Sequence, residues 1–394
     1  MDAAENAKPG LSLLYNRRAR AVAYQLLLCT AIAALAYGAI RTAGENLKRA
    51  KIASGFGFWN DTAGFDISQT LIDYSITSTY GRAFWVGLLN TLLVAAIGIV
   101  LATILGFAVG IARLSRNWLL ARLAGLYVEV VRNLPLLLQL LFWYNAVLNA
   151  LPERLQDSIR IPGGGYLNRR GLFLPEPIFG PGSGAALVAL FVGVIAAVVY
   201  RIWAKRRHAR TGFAPPLWPV VLVLVGAPPL VVLAFAGFPI AVEYPQPGRF
   251  NIHGGLEILP EFIALLVGLS TYTAAFIAEA VRAGLLAVPR GQREAAQSLG
   301  LSARHTLRLV VIPQAMRVIV PPLTSQYLNL TKNSSLAVAI GYPDLVHIFA
   351  GTVLNQTGQA VEVIAVTMAV YLSISLFTSL LMNLYNRRVA IVER

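Results

Sequence analysis

Charged residues are scarce in this sequence: only 13% of its 394 residues are Asp, Glu, Lys or Arg, about half the share of a soluble domain at roughly 25%. With 57% hydrophobic residues as well, water is not the main solvent, which excludes the soluble chain of about two or three domains that length alone suggests. Acids are scarcer than bases, 18 against 33, for a net charge of +15. In so apolar a chain that excess speaks to membrane topology through its distribution rather than to nucleic acid through its sum. One cysteine, Cys29, excludes an intrachain disulfide; it is expected only to pack. His208, His253, His305 and His347 are scattered with no ligand spacing, which argues against a metal site. A G-x-x-x-x-G-K-[ST] phosphate loop is also missing, so the chain supplies no nucleotide site of that kind.

Long apolar runs take the place of what is missing. A hydrocarbon core about 30 Å thick takes about 20 apolar helical residues to cross, with every backbone polar group paired internally. Eight runs meet this need, near 21–40, 84–112, 123–150, 185–203, 216–238, 261–287, 314–331 and 360–384. The expected fold class is therefore all-α, a polytopic membrane protein of about eight transmembrane helices. Arg17, Arg18 and Arg20 precede the first run, Arg113, Arg116 and Arg122 separate the second and third, and Lys205, Arg206, Arg207 and Arg210 follow the fourth. Arg282, Arg290, Arg293, Arg304 and Arg308 are placed with the loop after the sixth, and Arg387 and Arg388 follow the eighth. An even number of crossings puts all of these, and both termini, in the cytoplasm by the positive-inside rule. The first run is too long for a signal core, so it is expected to be retained.

The organisation read from these runs is an N-terminal segment with one span (1–83), a first core part (84–150), an insertion (151–260) and a second core part (261–394) containing a cytoplasmic loop at 289–313. The insertion is rich in Gly and Pro, and its second span contains Gly226, Pro228 and Pro229. That helix is expected to kink, or to break as the helices of some transport sites do. No internal repeat is evident between the core parts.

The loop from Pro289 reads Pro-Arg-Gly-Gln-Arg-Glu-Ala-Ala-Gln-Ser-Leu-Gly300. Pro289 suits a helix entry, Glu294 to Gln297 are good helix formers, and Gly300 is placed for a left-handed cap. A second helical stretch is expected from Ser302 to Val311, with the next span beginning at Pro313. Small alanines and a flanking charge suit docking, whereas charge alone equally describes an ordinary basic loop.

The spacing Glu294-Ala295-Ala296, Gly300, then Val310, Ile312 and Pro313 resembles the EAA loop of ATP-binding-cassette (ABC) importer permeases, with Val310 and Ile312 in place of the commoner Ile and Leu. Tyr127-Val-Glu-Val-Val-Arg132-Asn-Leu-Pro135-Leu-Leu-Leu-Gln139, Phe276-Ile-Ala-Glu279-Ala-Val-Arg282-Ala-Gly284 and Lys332-Asn-Ser-Ser-Leu336 are similar to motifs of the polar amino-acid uptake branch. Asn133 and Leu134, standing where that branch often has Gly-Thr, and the long insertion resemble the general L-amino-acid permeases of Gram-negative bacteria. The resemblance implies a type I permease core of five helices, translocating L-amino acids from periplasm to cytoplasm by alternating access. It implies as partners a second permease subunit, two ATPase subunits that bind ATP and Mg, a periplasmic amino-acid-binding protein and the lipid membrane. This chain is then a non-catalytic subunit that needs no cofactor of its own. The coupling residues it implies are Arg290, Gln292, Glu294, Ala295, Ala296, Ser298, Leu299, Gly300, Leu301 and Pro313.

Ionisable groups near membrane depth cost roughly 2.5 to 3.5 kcal/mol at a helix centre and so invite functional readings. Glu129 and Arg132, three apart, either pair with each other or meet substrate; Glu279 and Arg282 have the same spacing and suit gating. An amino acid presents both an ammonium and a carboxylate, and Asn133, Gln139, Thr271, Tyr272, Asn329, Lys332, Asn333, Ser334 and Ser335 offer polar groups for a pathway. Lys332 to Ser335 are expected to line it, although Lys332 also has the reach to snorkel and the amides and hydroxyls to bond between helices. Two other functions fit the same topology: an ion-coupled secondary transporter and a membrane scaffold that passes no solute.

Overall fold

The computed structural model describes residues 17–49, 54–180, 183–237, 240–248 and 251–389. The extreme ends expected in the cytoplasm, 1–16 and 390–394, lie outside them. Seven helices among the described residues are long and apolar enough to cross a membrane, and one sharply bent pair would make eight. The largely helical chain falls into two compact units, Met1–Ile99 with Ala280–Arg394 and Val100–Glu279.

The first unit contains helix α1 (Arg17–Arg49) and the start of α2 (Tyr80–Ala112). Side chains along the middle of α1 are exposed in this chain, Cys29 among them. An aromatic core gathers Phe58, Tyr80 and Phe84 with Leu345, Phe349 and Val363, and the Phe58 and Phe349 rings lie 6.3 Å apart. Small residues let backbones approach: a Cβ on Gly87 would lie 3.0 Å from the Leu345 Cα.

The second unit contains the end of α2, then α3 (Trp118–Asn133) and α4 (Leu136–Ala150). The straight span expected at 123–150 is instead this pair, bent by 111°. Pro135 explains the bend, because its ring disfavours a helical residue before it and Leu134 is extended, with φ −98° and ψ 135°. Two carbonyls at the break are satisfied by one buried side chain, as Gln139 Nε2 donates to Val131 O at 2.8 Å and Leu134 O at 3.0 Å.

In the insertion, α5 (Ser183–Thr211) pairs with α6 (Trp218–Phe235). Helix α6 runs unbroken through Pro228 and Pro229. Pro228 removes the donor that would serve the Leu224 carbonyl, and Gly193 of α5 lies against that carbonyl. The insertion also folds into short antiparallel sheets that helical periodicity does not anticipate. Strands β1 (Ile159–Ile161), β2 (Gly165–Asn168), β3 (Gly171–Leu174) and β8 (Leu256–Ile258) form one sheet in that order. Strand β4 (Glu176–Phe179) pairs with β5 (Ile240–Glu243), and β6 (Gln246–Pro247) with β7 (Ile252–His253). Gly163 and Gly164, at φ +98° and +91°, make the turn between β1 and β2.

Helix α7 (Pro260–Leu286) leads to α8 (Arg290–Ser298). Helix α9 (Ala303–Thr306) continues through a wide turn, Leu307–Val311, into α10 (Ile312–Asn333). The helical stretch expected from Ser302 to Val311 is thus continuous with the helix that carries Pro313. Pro313 cannot donate and crowds the carbonyl four residues back, a strain that a π turn just before it accommodates. Short helical turns at Ser334–Ile340, Val346–Val353 and α11 (Leu354–Thr357) connect α10 to α12 (Ala360–Val389).

Candidate functional site

Helix α8 is short, and its C-terminal end is closed by backbone hydrogen bonds. Pro289 occupies the N-cap. At the other end Gly300 takes φ +79°, while Gly300 N donates to Gln297 O at 2.9 Å and Leu301 N to Ala296 O at 3.1 Å. This double closure is a Schellman motif, and it requires a left-handed residue where Gly300 stands. Ala296 is buried against its own unit, whereas Arg290, Gln292, Glu294, Ala295 and Ser298 are exposed. Leu299 is 83% exposed beside the cap. Internal bonds hold the helix in place: Gln314 Nε2 donates to Gln292 Oε1 at 3.2 Å and Ser298 Oγ to Glu294 O at 3.0 Å. Leu301 is half-buried and Pro313 exposed.

A second group of residues lies in the same unit, around the connection from α10 to α12. Asn329 and Lys332 are exposed, Asn333 and Ser335 half-buried, and Ser334 wholly buried. Ser334 Oγ donates to Thr331 O and Ser335 Oγ to Lys332 O, each at 2.7 Å. Lys332 and Ser335 line an open cavity of about 460 Å³ together with Thr367 and Tyr371.

Behind that cavity sits a polar network that the sequence analysis missed. Asp344 is fully buried, accepts from the His347 N–H at 2.8 Å and from the Tyr371 hydroxyl at 3.2 Å. Asn90 Nδ2 donates to Gln69 O and Pro343 O, both at 2.9 Å, and Leu345 N donates to Thr91 Oγ1 at 3.0 Å. Asp344 lies in the connection between spans, and burial pushes its carboxyl up to about 7 against the pull of these hydrogen bonds. Burial also lowers His347. The signal for this network was present: Asn90 and Thr91 interrupt an otherwise apolar run, and Asp344 follows Gly341-Tyr342-Pro343.

The second unit brings together a different set. Glu279 forms ion pairs with Arg113 and, at 3.9 Å, with Arg132, whose guanidinium also lies over the Phe276 ring at 5.2 Å from its centroid. Arg132 is thus not paired with Glu129, an exposed residue whose backbone carbonyl accepts from Asn133 Nδ2. Arg113, read from sequence only as a topology marker, is the more buried of the two arginines, its side chain 14% exposed. Tyr127 donates to Thr271 O at 2.6 Å, the Thr271 hydroxyl donates to Val267 O, and the Tyr272 ring lies tilted against Phe276, their centroids 5.0 Å apart. Gln139 spends its amide protons on the helix break and borders a second cavity, of about 330 Å³. Arg282, one turn beyond Glu279, is half-buried in the first unit.

Comparison with known proteins connects these features. The family described as "Binding-protein-dependent transport system inner membrane component" matches residues 189–391, just over half of the chain, including α8 and its cap. The chain is 50% identical over 384 residues to the general L-amino acid transport system permease protein AapQ of Rhizobium johnstonii, covering 97% of this chain and 95% of that one. It is 51% identical over 379 residues to the putative amino-acid ABC transporter permease protein YhdX of Escherichia coli, covering 96% of each. Identity is 41% over 412 residues with the glutamate/glutamine/aspartate/asparagine transport system permease protein BztB of Rhodobacter capsulatus, at 97% and 96% coverage. With the matched segment running through the capped loop, the spans on either side of it and the polar connection beyond, the chain belongs to the family of inner-membrane permease components of binding-protein-dependent transport systems.

Proposed function

We propose that this chain is the membrane subunit through which L-amino acids pass inward in an ATP-driven importer, with α8 as the helix that receives the ATPase. The observation that carries the proposal is the form of α8: a short helix closed at its C-terminus by a Schellman motif, seated by Ala296, that presents Glu294, Ala295 and Leu299 outward. Isolated exposed leucines are common on soluble surfaces. Here the leucine lies beside an alanine that permits close approach and a carboxylate that orients a partner by charge. The names of the similar permeases support amino acids as the substrate class.

In this reading both termini and α8 face the cytoplasm, and the chain hydrolyses nothing itself. ATP and Mg bind to two partner ATPase subunits, a second permease subunit completes the pathway, and a periplasmic binding protein delivers substrate. Nucleotide-driven closure of the ATPases moves α8, and the linked spans alternate access. Glu279, between Arg113 and Arg132, acts as a gating latch beside the bend at Pro135, with Arg282 one turn further on. Glu129, Arg132, Asn133, Gln139, Thr271 and Tyr272 belong to the pathway in one unit, and Asn329 to Ser335 in the other.

Reconstitution tests the proposal. The full complex in proteoliposomes should accumulate L-amino acid only with ATP inside and binding protein outside. Glu294→Lys or Gly300→Asp should abolish uptake and release the ATPase during purification while membrane-inserted protein stays at normal abundance. Normal uptake with either substitution would remove α8 as the docking element.

A further inference from the structure

Helix α5 of the insertion is longer than a bilayer core requires. Its 29 residues reach about 43 Å at about 1.5 Å each, against a hydrocarbon core about 30 Å thick. The apolar run ends at Tyr200, and the remainder, 201–211, extends to the headgroup layer. That remainder carries Arg201, Lys205, Arg206, Arg207 and Arg210, all exposed. Nothing acidic balances them, because the sequence has no Asp or Glu between Glu176 and Glu243.

The placement of these charges around the helix narrows what they meet. At about 100° per residue, Lys205, Arg206, Arg210 and Arg207 stand roughly 40°, 140°, 180° and 240° from Arg201. The sector left over, near 300°, belongs to the buried Ala204, in line with Ala197 and with Gly193, which lies against the Leu224 carbonyl of α6. The cations thus occupy every side of α5 that α6 leaves open. A folded protein approaches a helix from one side, whereas lipid surrounds it. Aromatic rings share this level. The Arg207 guanidinium lies over the Trp203 ring at 5.1 Å from its centroid, and Tyr200 donates to Pro216 O at 3.0 Å, tying α5 to the turn that leads to α6. Phe213 in that turn is 62% exposed and Trp218 at the start of α6 79%. Amphipathic rings such as Trp settle at the headgroup level, and long basic side chains keep their heads there.

We propose that this end of the α5–α6 hairpin is a binding surface for anionic phospholipid, whose phosphates fill the ring of Arg201, Lys205, Arg206, Arg207 and Arg210. The proposal goes beyond the import reading and stands without it. It also goes beyond topology, since a charge that only orients a span during insertion needs no preference among the lipids of the finished membrane. Near an anionic surface each basic residue is worth about a fivefold preference.

The test is photo-crosslinking of the full complex, purified through this chain into mixed micelles that contain photoreactive phosphatidylglycerol or photoreactive phosphatidylcholine with the same acyl chains. Labelled peptides are then mapped. Label in 201–218 should be at least tenfold stronger from phosphatidylglycerol, and that preference should fall at least threefold as salt rises from about 0.05 to about 0.5 M. Combining Lys205→Gln, Arg206→Gln, Arg207→Gln and Arg210→Gln should abolish the preference, whereas Arg206→Lys, Arg207→Lys and Arg210→Lys together should keep it. Equal labelling by the two lipids, or a preference that survives either the four glutamines or high salt, overturns the proposal. Labelling by neither lipid also overturns it, because a partner subunit then covers the ring. Displacement of phosphatidylglycerol by about 10 mM inorganic phosphate would mark a site for the free anion and overturn the lipid as well. Should the four glutamines prevent membrane insertion, the salt series on wild type and the lysine variant still decide: a salt-independent preference, or its loss on exchange of Arg for Lys, refutes a charge-selected lipid surface.

Discussion

Replacing Asp344 by Asn should flatten the pH dependence of this protein's stability. The carboxyl is fully buried and raised from 3.8 to about 7. A folded-state value above the unfolded one means that the folded chain holds a proton the unfolded chain gives up between those limits. Stability from this group is therefore fully present below about pH 4, falls as pH rises, and levels off above about pH 7. A displacement of about three pKa units at 1.36 kcal/mol each gives a loss on the order of 4 kcal/mol across that window. Asn keeps an oxygen for the His347 N–H but does not ionise. His347, lowered by burial, works in the opposite direction as pH falls through its ordinary range, yet it is present in both proteins and cancels in their difference. Tyr342 also faces the carboxyl, and burial raises its hydroxyl further above the window. The assay is the thermal midpoint of the full chain in detergent, wild type and Asp344→Asn, from pH 4.5 to 8.5. Wild type minus variant should decline steadily up to about pH 7 and then run flat. Parallel curves would mean that Asp344 is ionised or solvated in the folded protein, and the reasoning about its burial would be wrong.

Two further outcomes test the second unit. Gln139→Leu keeps the volume but withdraws both donors from Val131 O and Leu134 O, leaving carbonyls at the helix break to cost about 1–3 kcal/mol each; a thermal midpoint equal to wild type would show that the break does not depend on this amide. Glu279→Ala should destabilise the chain by leaving Arg113, only 14% exposed in its side chain, without that ion-pair partner, and adding Arg113→Ala should recover part of the loss. Strictly additive losses in the double variant would show that the two side chains are not coupled.

Much of the candidate site was legible because it is local. The cap at Gly300 follows from a helix-forming run ended by glycine, and its two closing bonds span only four and six residues. The bend at Pro135 was equally available in principle, since a proline disfavours helix in the residue before it; hydropathy averages across it and reads one span. The two prolines of α6 do not break it, and the helix runs through them. A neighbouring backbone lies against the carbonyl that Pro228 deprives of its donor, and that neighbour is remote in sequence.

Composition and periodicity alone determined that the chain crosses a membrane repeatedly and that a capped helix stands between its sixth and seventh spans, since the cost of burying charge and the rules of helix ends act within about twenty residues. Only the tertiary structure decided the partners of the polar groups. Glu279 is ion-paired with Arg113, Arg132 turns from Glu129 to Glu279 and Phe276, and beside Asp344, which accepts from Tyr371, the Pro343 carbonyl accepts from Asn90, 253 residues away in sequence. Spacing along one helix says which side chains share a face. It does not say which other helix that face meets, and in a low-dielectric interior the charge that meets it decides the chemistry.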